Sequence, residues 1–185
     1  SSVMIAGLCH GFGEDSFNMS DEMLAEIRPL VEKQAGLVRF YWSDQTEVET
    51  AMASGEIVAA YAWNSAVKSL KAQGIPVSYA VPKEGILNWL CGLSIVQGGS
   101  GDDDLIYEFL DAWLDPMAGK FLIEDYGYGH SNSVSFEVSD PELVAALGFP
   151  SDPIEMLDNG IAFQPYDPQV LQNMVNMFDE VKMGL

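Results

Sequence analysis

Short apolar segments alternate with amphipathic segments along the first half of the chain, and this order most constrains the fold. The segments "LVRFY", "EIVAAYAW" and "VSYAV" are rich in β-branched and aromatic residues, which is typical of strands. Between them lie "DQTEVETAMASG" and "NSAVKSLKAQG", which have helical character and each end in a glycine. Because strands separated by helices form βαβ units, the sequence predicts an α/β fold with a parallel-rich sheet flanked by helices.

Helix starts are marked most clearly in the second half. An Asp at the N-cap accepts a backbone N–H, and a Pro at the first helical position lacks an N–H that would otherwise stay unpaired. This combination occurs at Asp115-Pro116, Asp140-Pro141, Asp152-Pro153 and Asp167-Pro168. The last predicted helix, from Pro168 to about Met183, has a core-facing stripe formed by Leu171, Met174, Val175, Phe178 and Val181. Ser20 is a further predicted N-cap.

The charge of the chain restricts its partners. The 185 residues include 8 basic and 28 acidic side chains, for a net charge of −20. Such a field repels nucleic acid and anionic membranes, and it concentrates cations near the surface. Because of this repulsion, we expect no nucleic-acid partner.

The first residues show no basic segment followed by an apolar one, so no export signal is visible in the sequence.

The cysteines and histidines give little indication of a metal-binding or catalytic site. Cys9 and Cys91 have no metal-ligand spacing, and a bridge between them is possible but cannot be inferred. Cys9 and His10 are neighbours, and neighbours on a helix point about 100° apart. A thiol enzyme that uses Cys91 with His130 stays open as an alternative. We expect a protein that is not an enzyme, with no metal and no cofactor.

Aromatic side chains lie at the predicted ends of strands. In open α/β sheets, ligands bind beyond the carboxyl ends of the strands. Trp63 ends "IVAAYAW", and Trp89 opens the apolar run after "PKEG". Tyr128 lies in the glycine-flanked turn "YGYGHSN", and Gln164 lies in "NGIAFQPYDP". Because aromatic faces attract organic cations, this set predicts a site for an amine.

These same segments carry a family resemblance. The stretch from "VRFYWSD" through "PKEGILNWLCGLSI", then "YEFLDAWLDPMAGKFLIEDYGYGHSN" and "NGIAFQPYDPQVLQNMVNMFDEV", resembles the spermidine/putrescine substrate-binding proteins of bacterial ABC importers. These are longer, two-lobed periplasmic binding proteins of type II that close on a solute, and the chain resembles their later part. The resemblance implies that residues 1–88 and 133–185 form the second lobe. Residues 89–132 would be the returning segment of an incomplete first lobe.

The resemblance also implies roles for individual residues. Trp63 and Trp89 would be aromatic walls, Tyr128 a further ring at the interlobe cleft, and Gln164 an amide that contacts an amine. Cys91 stands where polyamine binders carry an Asp. The implied function is an extracytoplasmic, periplasmic component that binds a polyamine or a related small organic cation and delivers it to a membrane permease. The alternatives are a less cationic solute or a piece of a protein that does not bind by itself.

The segment 89–132 predicts self-association. If the lobe it belongs to is incomplete, the apolar faces around Phe109, Leu110 and Trp113 lack a cover. Uncovered strand edges and apolar patches pair with other chains, and exchange of an element between copies is a simple route to a dimer. The sequence therefore predicts a homodimer joined through residues 89–132.

Overall fold

The computed structural model describes residues 1–150 and 152–184 and is mostly helical. Its helices are α1 (Ser2–His10), α2 (Asp21–Ala35), α3 (Gln45–Ala53), α4 (Ser65–Ala72), α5 (Asp103–Trp113), α6 (Pro116–Phe121), α7 (Val134–Glu137), α8 (Pro141–Ala146), α9 (Pro153–Asp158) and α10 (Pro168–Met183). A 3₁₀ turn covers Gly13–Phe17, and a π-helical turn, Leu122–Tyr126, continues α6. The strands are β1 (Leu87–Asn88) and β2 (Ile161–Ala162).

The predicted helix starts are confirmed. Each of α6, α8, α9 and α10 begins with a proline that follows a capping aspartate. At α10, the Asp167 carboxylate accepts the Gln169 N–H at 2.8 Å. At α2, the Ser20 hydroxyl accepts the Met23 N–H at 3.3 Å. These caps pair backbone donors that the first turn of a helix leaves without an internal partner.

The parallel-rich sheet of the predicted α/β fold is not shown. Within residues 1–150 and 152–184, strand pairing joins only β1 and β2, in parallel, with Leu87 opposite Ile161. The segments 37–41, 56–63 and 77–81 run as irregular backbone, and Val58 is 92% exposed. A strand requires a neighbour that supplies alternating hydrogen bonds, so β-branched composition alone does not form one. The strand predictions for these segments are therefore wrong for this structure.

The chain divides into two compact units, which we call unit 1 and unit 2. Unit 1 comprises Ser1–Tyr41, Lys83–Asn88 and Ile161–Leu185. Helices α1, α2 and α10 and the 3₁₀ turn form its core, whose buried side chains include Met4, Phe17, Met19, Ile27, Val31, Met174, Met177 and Val181. The Arg28 guanidinium joins α2 to α10 by donating to Glu180 at 2.8 Å.

Unit 2 comprises Trp42–Pro82 and Trp89–Gly160. One buried cluster consists of Ile123, Phe136, Val144, Leu147 and Phe149. Helices α3 and α4 pack on each other and bury Val48, Ala51 and Leu70. In the described part of the chain, no helix is both long and apolar enough to cross a membrane.

The chain passes from one unit to the other after Tyr41, Pro82, Asn88 and Gly160. One of these passages lies directly before Trp89. The lobes predicted from the resemblance have other bounds, with residues 1–88 and 133–185 in one and 89–132 in the other. That lobe assignment stays a prediction.

Candidate functional site

Two predicted site residues of unit 2 are in contact with each other. The rings of Trp63 and Trp89 have their centroids 5.2 Å apart at an interplanar angle of 46°. Trp63 is 42% exposed and Trp89 is 62% exposed, so both faces are open to solvent in part. We call Trp63 and Trp89 the indole pair. The partial exposure leaves ring surface accessible to a solute, and the role of the pair in binding stays a prediction.

Tyr128 belongs to a second aromatic pair in the same unit. Its ring stacks on Tyr126 with a centroid distance of 6.3 Å and an interplanar angle of 26°. Tyr126 in turn meets the edge of Phe121 at 5.5 Å. Tyr128 is 58% exposed. We call Tyr126 and Tyr128 the tyrosine pair. The sequence analysis did not include Tyr126, although its position next to the flanking glycine was visible.

A side-chain amide connects the backbone next to the two pairs. Asn64 directly follows Trp63, and its Nδ2 donates to the Gly127 carbonyl at 2.9 Å and to the Leu147 carbonyl at 3.3 Å. Gly127 directly precedes Tyr128 and has a φ of 73°. A Cβ atom added to Gly127 would lie 3.1 Å from Cα of Ser65, so the two backbones approach closely here. Sequence reasoning missed Asn64, because a hydrogen bond between distant segments leaves no local signal.

Further polar contacts hold the segments that carry the indole pair. The Trp42 indole N–H donates to the Tyr61 carbonyl at 2.7 Å, two residues before Trp63. After Trp63, Ser65 and Gln45 are joined by side-chain hydrogen bonds. The carboxylate of Glu49 accepts from the Gln45 amide at 2.6 Å. The start of α4 is therefore tied to α3 and, through Asn64, to the turn at Gly127.

Cys91 and Gln164 occupy different surroundings. Cys91 is a free, exposed thiol in unit 2, and Cys9 in unit 1 is free and exposed as well. Gln164 is partly buried in unit 1, in the segment between β2 and α10. That segment is anchored by Asn18, whose amide donates to the Pro165 carbonyl at 3.1 Å. Trp63, Trp89, Cys91 and Tyr128 thus belong to unit 2, where Trp63 and Trp89 touch, and Gln164 belongs to unit 1.

His130 has a structural environment. Its Nε2 lies 3.0 Å from the Trp113 carbonyl, which can only accept, so Nε2 carries the proton. Nδ1 accepts the Asn132 N–H at 3.2 Å and lies 3.1 Å from the Ser135 hydroxyl, which is fully buried. A general base needs a free lone pair facing its proton donor. This geometry gives no support to the alternative in which Cys91 uses His130, and the expectation of no enzymatic activity stays a prediction.

Charged side chains in the described residues form no metal site, since no group of three or more His, Cys, Asp or Glu residues there could hold an ion. Glu124, two residues before Tyr126, is a carboxylate with a shifted pKa. Its pKa lies below the ordinary value because it accepts the Asp140 N–H at 2.8 Å, and the Lys120 ammonium at 3.1 Å adds to the effect. Glu124 is thus held as an anion by structural partners.

Two depressions of the structure lie away from the predicted site residues. A depression of ≈ 730 Å³ in unit 1 is lined by the ends of α2 and α10 and by residues 38–41. A smaller, largely apolar one of ≈ 240 Å³ lies in unit 2 between residues 93–99 and α5. Neither is lined by Trp63, Trp89, Cys91, Tyr128 or Gln164. The candidate site is an open aromatic surface, since Trp63, Trp89 and Tyr128 are 42%, 62% and 58% exposed.

A comparison with protein families assigns most of the chain. Residues 6–149 match the model of the family described as bacterial extracellular solute-binding protein. The matched region contains Trp63, Trp89, Cys91 and Tyr128 and ends before Gln164. The chain belongs to this family, the bacterial extracellular solute-binding proteins, and is a solute-binding component that works outside the cytoplasm with an ABC transporter.

Proposed function

We propose that the protein binds a polyamine or a related small organic cation, with the indole pair and Tyr128 as its contact surface. The observation that carries the proposal is the contact between Trp63 and Trp89, which presents two partly exposed indole faces side by side. An ammonium over an indole face gains ~0.5–1 kcal/mol at exposed sites and ~2 kcal/mol when desolvated. The alkyl chain of an amine can pack on the remaining ring surface.

The tyrosine pair supports the same proposal. Tyr128 and Tyr126 add two stacked rings to the surface of unit 2, and their turn is bonded to the residue after Trp63. An extended amine carries charge at both ends and methylene groups between them. Two aromatic pairs on segments that are hydrogen-bonded to each other suit a ligand of that kind better than a compact solute.

The charge of the chain supports a cationic solute. A net charge of −20 attracts cations over distances longer than a direct contact. Exposed fields of this kind are screened within about 10 Å at 0.1 M salt, so they speed encounter more than they hold a bound ligand. The field favours amines as a class and does not select one.

Cys91 favours a second candidate, a less cationic solute. In the polyamine binders that the chain resembles, an Asp stands at this position, and an ammonium without a carboxylate partner loses a charge-assisted hydrogen bond. Cys91 is an exposed free thiol and offers only a weak donor and acceptor. A monoamine or an amino alcohol requires fewer carboxylate partners than a diamine and is the alternative ligand.

The remaining roles rest on the resemblance alone. Gln164 would contact an amine through its amide, and the partner would be the membrane permease of an importer that receives the solute in the periplasm. We propose that the protein catalyses no reaction and uses no cofactor. A homodimer through residues 89–132 is part of the same proposal, since no residue of α5 is buried.

Intrinsic tryptophan fluorescence tests the proposal directly. Every tryptophan of the chain lies in unit 2, so the emission reports on that unit alone. We expect saturable changes on addition of spermidine or putrescine, with dissociation constants in the millimolar range, about −4 kcal/mol, because the surface is open. A neutral diol of the same length as putrescine is the matched control ligand.

Variants assign the response to the indole pair. We expect Trp63→Ala and Trp89→Ala to abolish the response to amines, whereas Trp113→Phe on α5 should retain it. Isothermal titration calorimetry on the same variants measures the affinity without relying on fluorescence. Equal responses to putrescine and the neutral diol, or full binding by both alanine variants, would refute the proposed function.

A further inference from the structure

The side chain of Asn64 connects three separate segments of unit 2. It lies at the start of α4, and its amide reaches the Gly127 carbonyl in the turn after the π-helical segment and the Leu147 carbonyl at the end of α8. An amide nitrogen has two N–H donors, and here two carbonyl oxygens lie within reach of it. The amide therefore fixes the position of the Gly127 turn relative to α4.

The contact depends on a close approach of the two backbones. Gly127 has a φ of 73°, a conformation that residues with a Cβ rarely adopt. An added Cβ there would meet Leu147 Cδ2 and Ser65 Cα at 3.1 Å. The absence of a side chain at Gly127 and the short length of the Asn64 side chain together set the separation between the two backbones.

The two aromatic pairs are attached at the two ends of this contact. Trp63 precedes Asn64 and touches Trp89, and Tyr128 follows Gly127 and stacks on Tyr126. Two ties join α4 to the segment of the tyrosine pair: the Asn64 amide bonds the Gly127 carbonyl, and the Lys68 ammonium donates to the carbonyls of Glu124 and Asp125. Asn64 is the tie that directly adjoins both Trp63 and the Gly127 turn. A linear amine that contacts both pairs senses the spacing between them through the length of its alkyl chain.

We propose that Asn64 is a positioning residue that sets the distance between the two aromatic pairs and thereby selects the chain length of the bound amine. The inference rests on the proposed amine-binding function and deepens it. Asn64 touches the backbone next to the site and acts through Trp63 and Tyr128. A role in stability alone would change the affinity for all amines by the same factor, whereas a positioning role changes their ratio.

The test measures affinity across α,ω-diaminoalkanes of increasing length, from the propane to the octane derivative, by calorimetry. For the unmodified protein we expect one preferred length. In Asn64→Ala, the ratio of affinities between the preferred and the poorest length should fall by about tenfold, since two hydrogen bonds that hold the spacing are lost. The isosteric Asn64→Asp keeps the volume but has no donor when ionised, so its preference should be lost as well.

Asn132 provides the matched control in the same unit. Its amide donates to the Leu114 carbonyl at 2.9 Å, and its side-chain oxygen accepts the Val134 N–H at 3.1 Å. Asn132→Ala removes a similar bridging amide, so it should lower stability while the length preference is retained. If Asn64→Ala and Asn64→Asp keep the preference, or if Asn132→Ala loses it equally, the inference is overturned.

A readout without ligand separates the two proposals. Backbone amide hydrogen exchange at residues 126–128, followed by NMR, should accelerate in Asn64→Ala and stay unchanged in Asn132→Ala. Unchanged exchange in Asn64→Ala overturns the positioning role even if amines bind. If exchange accelerates but no diamine binds the unmodified protein, the proposed function fails, and the selection of amine length fails with it.

Discussion

Gly127→Ala is the sharpest test of the junction at the candidate site. The substitution introduces a Cβ in the left-handed region, which costs ~1–2 kcal/mol. It also places that Cβ 3.1 Å from Leu147 Cδ2 and from Ser65 Cα. Leu147 is buried and Ser65 presents backbone, so neither neighbour moves freely. Overpacking of this kind costs a further ~1–3 kcal/mol, so we expect the free energy of unfolding to fall by ~2–5 kcal/mol.

Gly74→Ala separates the two contributions. Gly74 follows α4 in the same unit and has a φ of 78°, but a Cβ there would meet nothing within 4 Å. This control should lose only the ~1–2 kcal/mol of backbone strain. The difference between the two variants therefore isolates the close approach at Gly127, and we expect it to be ~1–3 kcal/mol.

The assay is guanidinium-induced unfolding followed by tryptophan fluorescence, which reports on unit 2 because all tryptophans lie there. The midpoint at an unchanged slope gives the change in the free energy of unfolding. If Gly127→Ala and Gly74→Ala lower the free energy of unfolding equally, the packing around Gly127 does not hinder an added Cβ. The reasoning about the junction would then be refuted.

Three other predictions concern charge and association. Cys91→Asp should strengthen diamine binding by ~1.5–3 kcal/mol in calorimetry, and Cys9→Asp, which adds the same charge in unit 1, should not; equal effects would contradict the site assignment. The pKa of Glu124 is lowered in the folded state, so this carboxylate stabilises the fold above its unfolded pKa and the contribution is lost as the pH falls through the folded pKa. Glu124→Gln should therefore lower the melting temperature at neutral pH and have little effect in acid; a loss independent of pH would oppose this. Sedimentation should detect a dimer through α5 that strengthens with salt, since salt screens the net charge of −20, and Phe109→Glu should dissociate it; a monomer at every salt concentration would contradict the prediction.

Helix starts were predictable because capping is local. Asp167 meets the Gln169 N–H two residues away, so the whole interaction is contained in a few neighbouring letters of the sequence. The face of a helix that becomes buried is less local. In α10, Met174 and Val181 are buried as predicted and Phe178 is partly buried, but Leu171 and Val175 are exposed and the unpredicted Met177 is buried. The periodicity predicts how wide the apolar stripe of α10 is. Packing against α1 and α2 determines which of its residues are buried.

Strands could not be predicted in the same way, because pairing joins residues that are distant in sequence. "EIVAAYAW" has the composition of a strand, yet Val58 within it is almost fully exposed and has no strand beside it among the described residues. Leu87 pairs with Ile161 in a two-residue strand that composition did not single out. Composition shows which residues suit a pleated, half-buried strand. The strand forms only where a neighbouring strand is present to pair with it.

The candidate site shows the same difference between features that are local in sequence and contacts that are not. Trp63 and Trp89 were singled out as aromatic residues at predicted strand ends, and Tyr128 as an aromatic residue in a glycine-flanked turn. The structure forms no strand at 56–63 or 89–96, so the choice of the two indoles rested on strands that are not there. The contact between the two indoles and the Asn64 junction depend on the packing of α4 against the Gly127 turn, which no local pattern encodes. Sequence thus identifies candidate binding groups, and tertiary structure sets the distances between them.

Those distances bear on how a strongly acidic protein can be selective. The charge of −20 attracts every amine by nearly the same mechanism, and this attraction is weakened by salt. Discrimination between amines therefore has to come from short-range contacts, whose energies depend on ring positions and far less on ionic strength. If amines bind as proposed, Cys91 provides no carboxylate to pair with the ammonium, so we expect the spacing of the aromatic pairs to contribute more to selectivity than it would next to an acid. Under the proposed function, Asn64 is therefore an uncharged residue whose substitution should change which amine is bound, while the net charge of −20 changes little.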